Sequence, residues 1–115
     1  MIEADLGASA RAGGKEAVMD EAQVRTAAEE HAHATVQKDF KVAGSTLSET
    51  ARGQAGGVMK AMPGELTGYE ISGVNSAGDE TVVTISYKGA EGEALVESRW
   101  AEIDGRPMIV NLSVL

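Results

Sequence analysis

EALVESRWAEIDGRPMIVNLSVL, residues 93–115, reads as two alternating strands joined at Asp104–Gly105. An Asp-Gly pair between such runs is a strong hairpin signal, because both central positions of a type I′ turn need positive φ. With those two residues as the loop, Ile103 opposes Arg106, and counting outward sets Trp100 against Ile109 and Ser98 against Asn111. One face then carries Val96, Ser98 and Trp100 beside Ile109, Asn111 and Ser113. The other carries Leu95, Glu97, Arg99, Ala101 and Ile103 beside Met108, Val110, Leu112 and Val114. Both faces are substantially apolar, so the second also needs protein cover, most simply from another copy of the chain.

Working backward, two more strands read at Leu66–Val74 and Thr81–Tyr87, separated by turn chemistry at Asn75–Gly78 and Gly89–Gly92. Before Leu66 the pattern changes to alanine-rich helix. Asp20 followed by Gln23 resembles a capping box, with Glu21 near the positive end of the helix dipole, and a helix should run to about Lys38. At about 100° per residue, Val24, Ala27, Ala28, His31, Ala34 and Thr35 share one stripe, while His33 falls on the wet side. Asp39 caps a short second helix anchored by Phe40 and ended by Gly44. A third helix follows, with Thr46 and Glu49 at capping-box spacing and Pro63–Gly64 as its stop. Helices followed by an unbroken meander give an α+β domain over residues 20–115. Residues 1–19 lack a sustained period and read as a tail or an extra helical turn.

Composition sets aside several function classes. The chain has 115 residues, one domain's worth, and no cysteine, which suits a reducing compartment; cytoplasm is the expectation. A formal net charge of −8, with the ten Lys and Arg scattered, disfavours nucleic acid, and the four aromatics offer no stacking platform. No run approaches the roughly 20 apolar residues that span a bilayer. His31 and His33 diverge by about 160° on a helix and cannot make an i, i+4 zinc pair, so no metal is expected. The glycine-rich stretches lack the GK[ST] ending of a phosphate loop, and no cofactor is called for.

Residues 20–115 resemble the nuclear transport factor 2-like superfamily, also called SnoaL-like or polyketide cyclase-like, which includes ketosteroid isomerases. The resemblance rests on a first helix ending in Gln37-Lys38-Asp39-Phe40, a short second helix, the break Ala61-Met62-Pro63-Gly64, and the closing hairpin Arg99 to Val110 with its Asp-Gly turn. It implies helices packed on a curved four-stranded antiparallel sheet forming a cone, whose mouth admits small apolar molecules, and dimers through the sheet's outer face. It does not imply one activity, since the fold serves isomerases, dehydratases, cyclases, hydrolases and binding modules. The isomerases' pocket carboxylate and Tyr–Asp acid pair have no match at the positions assigned here, and Asp39 looks like a helix cap.

Five residues form the candidate ligand-binding set: His31, Tyr69, Ser98, Trp100 and Asn111. His31 is the ionisable group on the apolar stripe, either a satisfied core histidine or a proton-transfer group. Ser98 and Asn111 hydrogen-bond either a ligand or each other. Trp100 is core or platform, with an indole N–H that needs a partner when buried. Tyr69 lines the cavity mouth or anchors the first strand. Glu97 and Arg99 pair along one strand, and Glu91 and Glu93 are solvated. These residues point to a homodimeric, non-catalytic binding module with a modest apolar pocket. The alternatives are an isomerase, dehydratase or cyclase with His31 as general base, and a purely structural dimerisation module.

Overall fold

The computed structural model describes residues 20–115. The reading of residues 1–19 lies outside the described residues. Helices α1 (Glu21–Val36), α2 (Phe40–Gly44) and α3 (Glu49–Ala61) precede strands β1 (Leu66–Ala77), β2 (Glu80–Gly89), β3 (Gly92–Ile103) and β4 (Arg106–Val114). The strands form one antiparallel meander in the order β1-β2-β3-β4. This is the α+β arrangement the sequence pattern calls for.

Local chemistry sets the helix ends. Asp20 Oδ1 accepts from the Gln23 N–H at 2.7 Å and caps α1. At the other end the chain turns through Lys38 at φ 63°, with Asp39 N–H donating to Ala34 O and Lys38 N–H to Thr35 O. This is a Schellman close with lysine where glycine is usual, and it stops α1 two residues before the predicted end. Asp39 then caps α2 as expected. The cap of α3 is Ser48, whose Oγ accepts from Ala51 N–H, and not Thr46. The Thr46 hydroxyl turns the other way and donates to Ala43 O.

Strand alternation builds the core. Thr81, Val83, Ile85 and Tyr87 of β2 face the helices together with Ala94, Val96, Ser98 and Trp100 of β3, and all eight are buried. Val24, Ala28 and Ala32 of α1 pack against them. In β1 the register shifts after Leu66 and after Ile71, leaving Thr67 and Ser72 unpaired. Such bulges bend and twist a strand, and they curve this edge of the sheet.

The closing hairpin has the predicted turn. Asp104 and Gly105 have φ of 55° and 80°, and Ile103 pairs with Arg106 and Trp100 with Ile109. Gly105→Val should cost about 1–2 kcal/mol, within the usual range for a strained backbone position. The cost is conformational alone, since a Cβ there would meet nothing within 4 Å. Urea denaturation with an unchanged midpoint would contradict it.

Beyond Ile109 the predicted register fails. A bulge makes Val110 the extra residue, so Arg99 pairs with Asn111 and Ser98 with Leu112. Every face past it is exchanged: Leu112 turns inward and is buried, and Asn111 leaves the inner face. The cause lies on α3. Gln54 donates from Nε2 to Asn111 Oδ1 at 2.8 Å and accepts the Leu112 N–H on Oε1 at 2.7 Å. The same edge is paired before the bulge, where Ile109 N–H donates to Thr46 O and Ser48 N–H to Ile109 O. The edge strand's free polar groups thus find partners on both sides of the kink.

Candidate functional site

A cavity of about 300 Å³ opens between the three helices and the inner face of the sheet. Its floor includes Tyr87, Val96 and Leu112, and its walls include His31 and Thr35 of α1 and Val58 and Met62 from α3 and its end. Phe40 and Met59 stand at its rim, 52% and 40% exposed. Phe40 is therefore not the buried anchor of α2 that the sequence suggests: in a helix of five residues it is Ala43 that is buried.

His31 is the central polar residue. Its side chain projects from the apolar stripe of α1, and the residue is 8% exposed. Nδ1 lies 3.0 Å from Ala43 O and 3.1 Å from Thr46 Oγ1. A carbonyl oxygen only accepts, so Nδ1 carries the proton and donates, and Nε2 of the neutral ring keeps its lone pair. Burial holds the His31 pKa below its ordinary value of 6.5, against the smaller upward pull of the Ala43 hydrogen bond.

Thr35 and Arg52 of the lining are engaged with main-chain oxygens. Thr35 Oγ1 donates to His31 O at 2.9 Å. Desolvation, only partly offset by the neighbouring Thr35 hydroxyl and reinforced by nearby Tyr69, pushes the Tyr87 phenol up to about 12, so it stays protonated. Arg52 donates from Nε to Leu47 O and from a terminal nitrogen to Gly44 O.

Of the five candidate residues, His31 alone lines this cavity. Ser98 and Trp100 lie beneath it in the core, both fully buried. The indole N–H donates to Ser98 Oγ at 2.9 Å, and Ser98 Oγ donates to Val83 O at 2.9 Å. The His31 and Trp100 rings meet edge to face at 6.3 Å. Tyr69 pairs with Tyr87 across β1 and β2 and packs half-buried against the core. Asn111 is tied to Gln54 at the sheet edge, so the expected Ser98–Asn111 pair does not form. Arg99 pairs with Glu80 at 3.1 Å and not with Glu97, and Glu93, exposed as expected, also accepts from Ser86 Oγ. Sequence reasoning missed Thr35 and Tyr87 as lining, although Thr35 sits on the predicted apolar stripe one turn from His31; for Tyr87 the sequence reading assigned a strand but no face. Leu112 had no local signal, because its direction depends on the bulge.

Among the described residues, no three His, Cys, Asp or Glu side chains gather in a way that could hold a metal ion. No described helix is long and apolar enough to cross a membrane.

Comparison with solved structures finds an NTF-2 like protein of unknown function from Burkholderia xenovorans LB400. It superposes with a TM-score of 0.58 at 18% identity, over 84% of each chain. The fold is nuclear transport factor 2-like. At that identity the likeness speaks for the NTF-2-like architecture alone. No protein-family model and no curated protein matches the sequence.

The lowered His31 pKa has a consequence for stability. Between the folded value and about 6.5, the unfolded chain binds a proton that the folded chain refuses, so stability falls as pH falls through this window. His31→Asn keeps an N–H for Ala43 O and does not titrate. Between about pH 7.5 and about pH 5.5 the thermal midpoint of the parent protein should fall more steeply than that of the variant. Parallel slopes would show that His31 titrates alike in both states.

Proposed function

We propose that the protein is a homodimeric module that binds a small, mainly apolar molecule in the cavity beneath Phe40 and Met59 without transforming it. The observation that carries this reading is the lining: mostly aliphatic and aromatic side chains and, among the described residues, no carboxylate, with Thr35 and Arg52 held by main-chain oxygens and one ring nitrogen of His31 left over. Enclosed apolar space with few polar groups is the usual character of a ligand pocket, and about 300 Å³ is the small end of the range. The general-base alternative needs a second polar group converging on the reacting atom. The Thr35 hydroxyl is committed to His31 O and no carboxylate of the described residues lines the cavity, which favours binding over turnover.

The reading predicts a co-purifying small molecule by native mass spectrometry, or saturable uptake of an apolar fluorescent probe such as anilinonaphthalene sulfonate at one site per chain. Ala55→Trp, which plugs the cavity wall, should abolish either signal while circular dichroism stays unchanged. Absence of both signals in the parent protein would defeat the proposal, and return of the captured molecule in altered form would favour the enzyme instead.

The dimer half of the proposal draws on Leu95 and Ile103, 40% and 36% exposed on the sheet's outer face. Leu112 no longer belongs to that face, so the informative substitution is Leu95→Lys. It should turn a dimer into a monomer in sedimentation, and a parent chain that sediments as a monomer at high concentration would refute the dimer.

A further inference from the structure

We propose that the molecule held in the cavity is a neutral, mainly apolar alcohol, whose O–H donates to His31 Nε2. This rests on the binding reading above and names the chemical class that it leaves open.

The tautomer is fixed by protein atoms. Thr46 Oγ1 and His31 Nδ1 both approach Ala43 O, which has no proton to give, so Nδ1 must be the donor. Nε2 is then a bare acceptor, and among the described residues it has no hydrogen-bond partner. The residue is more than nine-tenths buried and lines the cavity, so a donor for Nε2 must come from whatever enters there. Burial also keeps the ring neutral near neutral pH, which preserves the lone pair.

The rest of the lining narrows the donor. A cationic ammonium would enter a cavity that offers no carboxylate and has the Arg52 guanidinium at its wall. An amide N–H would bring a carbonyl as well, a second polar group to desolvate in a lining that is mostly aliphatic and aromatic. A hydroxyl brings a donor on a single small atom and leaves the remainder of the ligand free to be apolar, which suits Val96, Leu112 and the Phe40 rim.

A matched pair of probes tests this: 2-naphthol and 2-methylnaphthalene, in which a hydroxyl is exchanged for a methyl of similar size. Isothermal titration of the full chain should show 2-naphthol binding at least about tenfold more tightly, although the methyl compound is the more hydrophobic. The preference should vanish in His31→Asn, which retains the N–H toward Ala43 O and has no atom in place of Nε2. In the parent protein the Nε2 nitrogen resonance should move with 2-naphthol and stay in place with 2-methylnaphthalene, a readout that does not depend on the variant folding. Equal binding of both probes overturns the hydroxyl assignment and leaves the cavity reading standing. A preference that survives in His31→Asn overturns the role of Nε2. Binding of neither probe overturns both readings.

Discussion

Trp100→Ala should lose about 3–5 kcal/mol of folding stability, the usual cost of emptying a fully buried large aromatic position. Against a total of about 5–15 kcal/mol for a domain, that is enough to leave much of the population unfolded at ambient temperature. Three separate losses add at this site. The indole is wholly excluded from solvent and sits where β3 meets Ile109 of β4, so its removal opens a void at the base of the cavity. Its N–H no longer fills the Ser98 hydroxyl, which is itself buried and bound to Val83 O. The His31 ring also loses its edge-to-face neighbour. Denaturation followed by far-ultraviolet circular dichroism measures the effect without relying on the only tryptophan. Trp100→Phe should recover most of the loss, and a midpoint for Trp100→Ala close to that of the parent would mean the indole is not a structural centre.

Gly89→Val should be the most damaging of the glycine substitutions, at the upper end of the about 1–3 kcal/mol typical of overpacking. A Cβ on Gly89 would lie 2.5 Å from Glu65 O and 2.7 Å from the Pro63 Cβ. Neither obstacle is the far end of a flexible side chain: one is backbone and the other belongs to a proline ring. The chain linking α3 to β1 crosses directly over this residue, and Leu66 begins its pairing there. Relief therefore requires the link to lift, which would loosen the Met62 end of the cavity wall together with the start of the sheet. Amide exchange should accelerate at Leu66 and Tyr69 in a variant that still folds. If Gly89→Val matches Gly105→Val in stability, the close approach at Glu65 is not a constraint on the fold.

The parts of the fold that were legible in the sequence are those decided by neighbours in sequence. Asp20 and Asp39 cap helices through residues three positions on, and Asp104–Gly105 closes its hairpin because both residues accept positive φ. The meander order followed from short turns between alternating runs. The readings that failed depend on distant partners. Thr46 has the right spacing to cap α3, but its hydroxyl is drawn to Ala43 O beside His31, and Ser48 takes the role. The bulge at Val110 is held by Gln54, a side chain more than fifty positions earlier, and a glutamine in a glycine-rich helix announces nothing about a strand. For the site, periodicity found His31, while the commitment of its Nδ1 could be read only once Ala43 and Thr46 were placed beside it. Phe40 looked like an anchor because it is apolar; its five-residue helix offers room to bury only Ala43.

The bulge in β4 also bears on how this strand can change over generations. Val110 is one residue more than the ladder needs, and pairing resumes at Asn111 opposite Arg99. Loss of the single codon for Val110 would join Ile109 directly to Asn111 and leave Leu112 opposite Ser98, still facing the cavity. An insertion or deletion one step to either side of the Gln54 clamp, with the kink retained, would instead trade leucine for a polar neighbour at the cavity floor. The chemistry of the pocket can therefore be rewritten by strand length at one position, with all three helices unchanged.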